Sequence, residues 1–285
     1  MDKTLYIIGN GFDLAHKMPT RYADFRRWLI VSGRIEVIEE LQSAFPAQEE
    51  NDFLLWSDFE KALGLYDLDK VIKWSWDDLY LTEISIGNQL SRTPNSFLNT
   101  QLSDILSEAF TNWCHSIPSA KIPKVFDLNQ EAFFLTFNYT DTLEALYGIP
   151  ERHILHIHGQ ASRNEKLIVG HNLEINPSDF WDDNLDVREN NERMQRLVNM
   201  NDLQKPYDVI LEHNQFFFKK LNHVRDIHII GHSCAEIDFP YFQKIKENVD
   251  AKAIWHFKPH SYEDRYRMNI LINMMGLEPE LTTGI

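Results

Sequence analysis

The chain has only two cysteines, Cys114 and Cys234, in 285 residues. That excludes a disulfide framework and a four-cysteine zinc cage, and it suits a reducing compartment. Basic residues are short too, since 28 Lys and Arg against 43 Asp and Glu leave a formal charge of -15. Such a field repels phosphate backbones, so bulk binding to DNA or RNA is disfavoured unless a local basic stripe overcomes it. No apolar run is long enough to span a bilayer, and Leu5-Tyr6-Ile7-Ile8 runs at once into a glycine turn rather than a cleavage-site pattern. The expectation is a cytoplasmic protein, neither secreted nor membrane-bound. Internal repeats and low-complexity tracts are absent, and the eleven glycines and eleven prolines are ordinary for this length.

What is there is apolar surface. Hydrophobic residues at 43% and aromatics at 12% supply a sizeable core and argue against general disorder. Short apolar runs bounded by turn residues predict buried strands at Thr4 to Ile8, Ala132 to Thr136, Ile154 to Ile157, Leu167 to Val169, Ile227 to Ile230 and Ala253 to Phe257. Helical patterns fall at Ala23 to Leu29, Thr140 to Tyr147, Phe239 to Glu247 and Tyr262 to Met275. That alternation predicts an α/β fold, a doubly wound, mainly parallel, Rossmann-like sheet in a single domain over 1–285. Stretches at about 35–123 and 176–223 read as helical insertions. The first places Trp56, Phe59, Leu63, Leu65, Leu102, Ile105, Leu106, Phe110 and Trp113 on one helical face, and Cys114 reads as a small core hydrophobe. The charges of the second, from Asp179 through Arg196, read as a solvated face.

Four turns carry the candidate chemistry. In the first, Gly9-Asn10-Gly11-Phe12-Asp13 follows a hydrophobic strand, and glycines there let backbone N–H groups approach a pyrophosphate beside a helix start. The third glycine of the dinucleotide fingerprint is missing, because Leu14 stands three beyond Gly11, so a plain dehydrogenase is not supported. In the second, Thr136-Phe137-Asn138-Tyr139 ends a buried strand, where Asn138 holds a ribose hydroxyl or a water, or else serves the turn, and Thr140 reads as a helix N-cap. The third is His156-Ile157-His158-Gly159, whose period-2 spacing puts both histidines on one side of a strand. A metal pair there lacks a third ligand, whereas His158 at the strand end suits a general base and His156 an internal hydrogen bond. The fourth is Gly231-His232-Ser233-Cys234 with Asp238, and Gly170-His171-Asn172 follows another strand. A serine-hydrolase elbow needs glycine where Ala235 stands, so Ser233 is read as a contact to ligand hydroxyls or phosphates, and Asp238 as a contact or a helix cap.

Together these residues resemble the AbiH family of bacteriophage abortive-infection proteins, through Gly9 to Asp13, Pro19-Thr20-Arg21-Tyr22, Thr136 to Tyr139, His158-Gly159, and Gly231-His232-Ser233 with Asp238. The two helical insertions match no part of this pattern. Their order is also similar to that of sirtuin-like NAD-binding domains. That resemblance implies that Gly9 and Gly11 face a pyrophosphate, that Asn138 holds the ribose, that His158 is the catalytic histidine, and that Gly231 and Ser233 contact the adenosine side. Asn10, Phe12, Asp13, Thr136 and Asp238 complete the implied binding set. Protein-deacylating sirtuins carry a four-cysteine zinc ribbon, which two cysteines cannot supply. The expectation is therefore a phage-defence effector that binds NAD as substrate or ligand and hydrolyses its nicotinamide–ribose bond, with no metal. The alternatives are a sensor of NAD, ADP-ribose or a related nucleotide, and an RNA- or nucleotide-cleaving toxin using His158, His171 and His232. A homo-oligomer or a partner from a defence system is left open.

Overall fold

The computed structural model describes residues 4–44, 56, 59–63, 102–118, 122–173, 181–191, 194, 201, 203–278 and 282–284. Its strands are β1 (Thr4–Ile8), β2 (Phe133–Thr136), β3 (Ile154–His156), β4 (Asp226–Ile230), β5 (Ile254–His256) and β6 (Thr282–Thr283). Its described α-helices are α1 (Asn10–Ala15), α2 (Tyr22–Val31), α3 (Ile35–Ala44), α4 (Phe59–Leu63), α5 (Leu102–Ser116), α6 (Thr142–Ala145), α7 (Tyr207–His213), α8 (Gln215–Lys220), α9 (Phe239–Asn248) and α10 (Tyr262–Met275). The strands form one six-stranded sheet in the order β3-β2-β1-β4-β5-β6, and every pair is parallel. The protein is thus α/β, with an all-parallel sheet flanked by helices.

The central strand shows why the sheet sits inside. Leu5 and Ile7 of β1 cluster with Ile227, Ile229, Trp255 and the α9 and α10 residues Phe242, Ile245 and Leu271. Ile8 clusters on the opposite side with Phe12, Phe134, Leu143 and Tyr147. A strand buried on both faces must be apolar throughout, as this one nearly is. Each Leu, Ile or Phe fully buried here contributes about 1.5–3 kcal/mol of transfer free energy. Helix α10 starts where Ser261 Oγ accepts the Asp264 amide at 3.0 Å, a side-chain N-cap.

Two sequence expectations change. Leu167 to Val169 forms no strand; instead Ile168 donates its amide to the His158 carbonyl at 2.9 Å and accepts Tyr139 Oη at 2.9 Å. These isolated bonds do not continue as a ladder. In its place β6, too short to give a periodic signal, pairs with β5 through Trp255 and His256.

The chain divides into two compact units, one of Met1–Arg21, Cys114–Ile168 and Pro206–Ile285, the other of Tyr22–Trp113 and Val169–Lys205. The first holds the whole sheet. Helices α7 and α8, inside the stretch that the sequence reads as the second insertion, give Ile210 and Phe218 to the sheet's core. In the second unit Phe25 is the centre of an aromatic cluster, with Trp28, Trp56, Phe59, Phe110 and Trp113 at ring separations of 5.2–6.4 Å. Of the face read for the first insertion, Trp56, Phe59, Leu63, Leu106, Phe110 and Trp113 are buried, whereas Leu65 and the Leu102 side chain lie outside the described residues. The same unit buries the Lys205 ammonium against Glu60 at 3.0 Å. Among the described residues no helix is long and apolar enough to cross a membrane.

Candidate functional site

Strand order reverses between β1 and β4, and in open α/β sheets ligands bind outside the C-terminal ends of the strands at such a point. The two strands leave the sheet there in glycine turns that pack backbone against backbone. Gly9 donates its amide to the Ile230 carbonyl at 3.0 Å, and Gly11 donates to the Gly231 carbonyl at 2.7 Å. A Cβ on Gly9 would lie 2.5 Å from His232 Cα, and one on Gly11 would lie 2.7 Å from Gly231 Cα. Gly231 itself has φ +66°, and its Cβ would lie 2.2 Å from the Phe12 nitrogen. These three glycines therefore let the turns interlock, a reason the sequence could not show.

Asp13 ties the α1 turn to the end of β2. Its carboxylate, 1% exposed, accepts Thr140 Oγ1 at 2.6 Å and Thr142 Oγ1 at 2.8 Å. Burial pushes the Asp13 carboxyl above the ordinary carboxylate range, against the opposing effects of Thr140, Thr142, His16 and Asn138. Thr140 is therefore not the N-cap of the helix that follows. That helix, α6, begins at Thr142 with Asp141 in the cap position, because the Thr140 hydroxyl is claimed by Asp13. Asn10 donates Nδ2 to the Thr20 carbonyl at 2.9 Å, which anchors the turn to the Pro19-Thr20 segment. Phe12 is fully buried and stacks on Phe126 at 5.0 Å.

Asn138, 7% exposed, reaches across from β2 to the first turn, with Nδ2 donating to the Gly9 carbonyl at 3.2 Å. Its own amide donates to Thr136 Oγ1 at 3.1 Å, so the buried Thr136 supports the same bend.

The two histidines of the third turn part company. His156 faces α6, with Nε2 at 2.9 Å from Glu144 Oε1 and Nδ1 at 3.1 Å from the Asn138 carbonyl. His158 sits in the opposite cluster, with Nε2 at 3.3 Å from Tyr241 Oη and its ring 5.4 Å from Phe137. The expectation that both share one side fails because β3 ends at His156, and the chain turns before His158, closing with the Gly159 amide on the His156 carbonyl. Period-2 alternation lasts only as long as the strand does.

At the end of β4, His232 accepts the Cys234 amide on Nδ1 at 2.9 Å. That bond puts the ring hydrogen on Nε2, which faces Asp238 Oδ2 at 3.3 Å. Asp238 occupies the N-cap position of α9 but makes no side-chain cap bond. Ser233 is exposed. The Phe137 ring lies 4.3 Å from His232 and 5.4 Å from His158, so one aromatic side chain joins the ends of β2, β3 and β4. Sequence reasoning missed Tyr241, which carries no motif, and the His232–Asp238 pair, which the short 3₁₀ turn Glu236–Asp238 brings together.

The interlocked turns of β1 and β4, the Asn138 bridge and the histidine at the end of β3 all fall within one matched span. The sequence profile of the family described as Bacteriophage abortive infection AbiH matches residues 5–258. The chain belongs to the AbiH family. The match runs from β1 to just past β5, so it takes in both helical insertions as well as the four turns. No curated protein and no solved structure matches the chain.

Proposed function

We propose that this AbiH protein is an abortive-infection effector that binds NAD outside the C-terminal ends of β1 and β4 and hydrolyses its nicotinamide–ribose bond. The observation that carries this reading is the convergence of the Gly9–Asp13 turn, Asn138 and the Gly231 turn at the point where strand order reverses. The order of these anchors resembles that of sirtuin-like NAD-binding domains, and an α/β fold with a parallel sheet is compatible with that resemblance. The Gly9, Gly11 and Phe12 amides are committed to carbonyls of the protein, which leaves exposed Asn10 at the tip of the turn as the residue to meet a phosphate. Gly231 and Ser233 then lie on the adenosine side.

In the reaction nicotinamide departs as a neutral group while positive charge develops on the ribose. The site must hold that sugar and orient a water, and it needs no strong acid. Asn138 orients the ribose or the water. His158, held against Tyr241 among aromatic rings, takes the proton released as water adds.

Purified protein incubated with NAD tests this directly, with nicotinamide and ADP-ribose as the expected products. Asn138→Ala and His158→Ala should each lower turnover on the order of 10²-fold while the fold and nucleotide affinity survive. Folded variants that hydrolyse NAD like the parent would refute the assignment. A second reading, binding without turnover, is favoured by one observation, that Asn138 and His158 are only 7% and 3% exposed. NAD or ADP-ribose binding with no product under any activating condition would establish it.

A further inference from the structure

Glu144 of α6 is tied to both segments that bear the proposed reaction, and both ties run through one oxygen. Its Oε1 lies 2.9 Å from His156 Nε2 and accepts Gln160 Nε2 at 3.1 Å. His156 passes the contact on, because its Nδ1 donates to the Asn138 carbonyl at 3.1 Å. Gln160 directly follows His158-Gly159, and its neighbour Ala161 donates its amide to the Tyr139 carbonyl at 3.0 Å. A line of hydrogen bonds thus runs from Asn138 through His156, Glu144 and Gln160 to the turn that carries His158.

Burial keeps this line in place, since the His156 and Glu144 side chains are 7% and 17% exposed and Gln160 is buried. The Asn138 carbonyl can only accept, so Nδ1 bears a hydrogen. A second hydrogen lies between Nε2 and Oε1, on the ring or on the carboxyl, because two lone pairs would otherwise meet at 2.9 Å. The other carboxyl oxygen, Oε2, is sealed from solvent and has no hydrogen-bond partner among the described residues. An unsatisfied buried oxygen costs stability, so support of the fold does not by itself account for a carboxyl here. We propose that Glu144 is a positioning residue that fixes the Asn138 bend and the His158 turn relative to each other, through His156 on one side and Gln160 on the other. The inference rests on the NAD reading for the reaction it serves, in which the ribose or water at Asn138 and the base at His158 must meet. Glu144 acts through its two neighbours and not on the substrate.

The test pairs kinetics with backbone amide NMR of the full chain. Glu144→Ala removes both ties and should shift the Asn138-Tyr139 and Gly159-Gln160 signals together. With NAD it should lower kcat by about tenfold or more and leave KM within about threefold, the signature of lost orientation rather than lost binding. Glu144→Gln should stay within about threefold of the parent kcat, because its carboxamide nitrogen can donate to His156 Nε2 and to a turned Gln160 Oε1 in place of the shared hydrogen. Parental kcat in folded Glu144→Ala overturns the inference, and so do signals that move only within α6, or a Glu144→Gln as impaired as Glu144→Ala. If Glu144→Ala does not fold, Gln160→Ala, which cuts one tie alone, decides: it should lower kcat and move the Gly159 signal, and parental behaviour in both overturns the inference. If the parent never cleaves NAD, the NAD reading falls and the paired signals decide the positioning role. If parent and Glu144→Ala cleave NAD equally well, the NAD reading stands and the positioning role falls.

Discussion

Replacing Gly231 by alanine tests whether the interlocked glycine turns hold the site together. Two costs arise. At φ +66° any residue other than glycine is held in the left-handed region, a strain of about 1–2 kcal/mol. The added Cβ would also lie 2.2 Å from the Phe12 nitrogen and 2.5 Å from the Gly11 carbonyl carbon, both backbone atoms that no rotamer change can clear. Overpacking of that kind costs about 1–3 kcal/mol. The expected loss is therefore about 2–5 kcal/mol, a large share of the roughly 5–15 kcal/mol by which a folded protein is stable. Gly148→Ala provides the control, because Gly148 has nearly the same φ of +70° and nothing within 4 Å of its Cβ position. It should show the strain alone. Equilibrium urea unfolding of the two variants against the parent separates the terms. If Gly231→Ala is no more destabilising than Gly148→Ala, the turns do not depend on close backbone approach and the account of this site's construction is wrong. The same geometry means that bulkier substitutions at Gly11 will disturb the fold before they report on any ligand.

Two further outcomes follow from buried titratable groups. Burial pushes the thiols of Cys114 and Cys234 far above the ordinary cysteine range, so neither should be alkylated by iodoacetamide at pH 8 in the native protein, and both should react once it is unfolded; fast labelling of either in the folded state would contradict its burial. On one face of the sheet the His228 and His256 rings stack at 4.3 Å and 8°, with Tyr6 on the other side of His228. Burial, helped by His256 and opposed by Asp226, lowers the His228 pKa below the ordinary 6.5. The fold thus favours the neutral ring, and its contribution to stability is present above pH 6.5 and lost as pH falls through the lowered value. NMR titration should place His228 below 6.5, and His228→Phe should lessen the loss of stability on acidification. A titration at or above 6.5 would refute it.

Much of the architecture is legible in the chain because it rests on local periodicity. β1 is readable to the residue from Leu5-Tyr6-Ile7-Ile8 and its glycine stop, and α10 from Tyr262 to Met275, since a strand's apolar run and a helical repeat are each written within one segment. The pair of histidines was misread for the converse reason, as nothing between Leu155 and Gly159 says where the strand's hydrogen bonds cease. Thr140 looked like a cap only while its competitor, Asp13, was 127 residues away in the sequence.

The sequence alone therefore determined the α/β class, the strands that end in glycine turns, and the anchors of an AbiH protein. Tertiary structure decided what those turns face. Gly9 and Gly11 meet the backbone of the Gly231 turn, Asp13 meets two threonines, and His156 and His158 point to opposite sides of the sheet. Those choices depend on which strands become neighbours, and a parallel pairing such as β1 with β4 joins residues about two hundred positions apart through hydrogen bonds between backbones, which leave no trace in side-chain pattern.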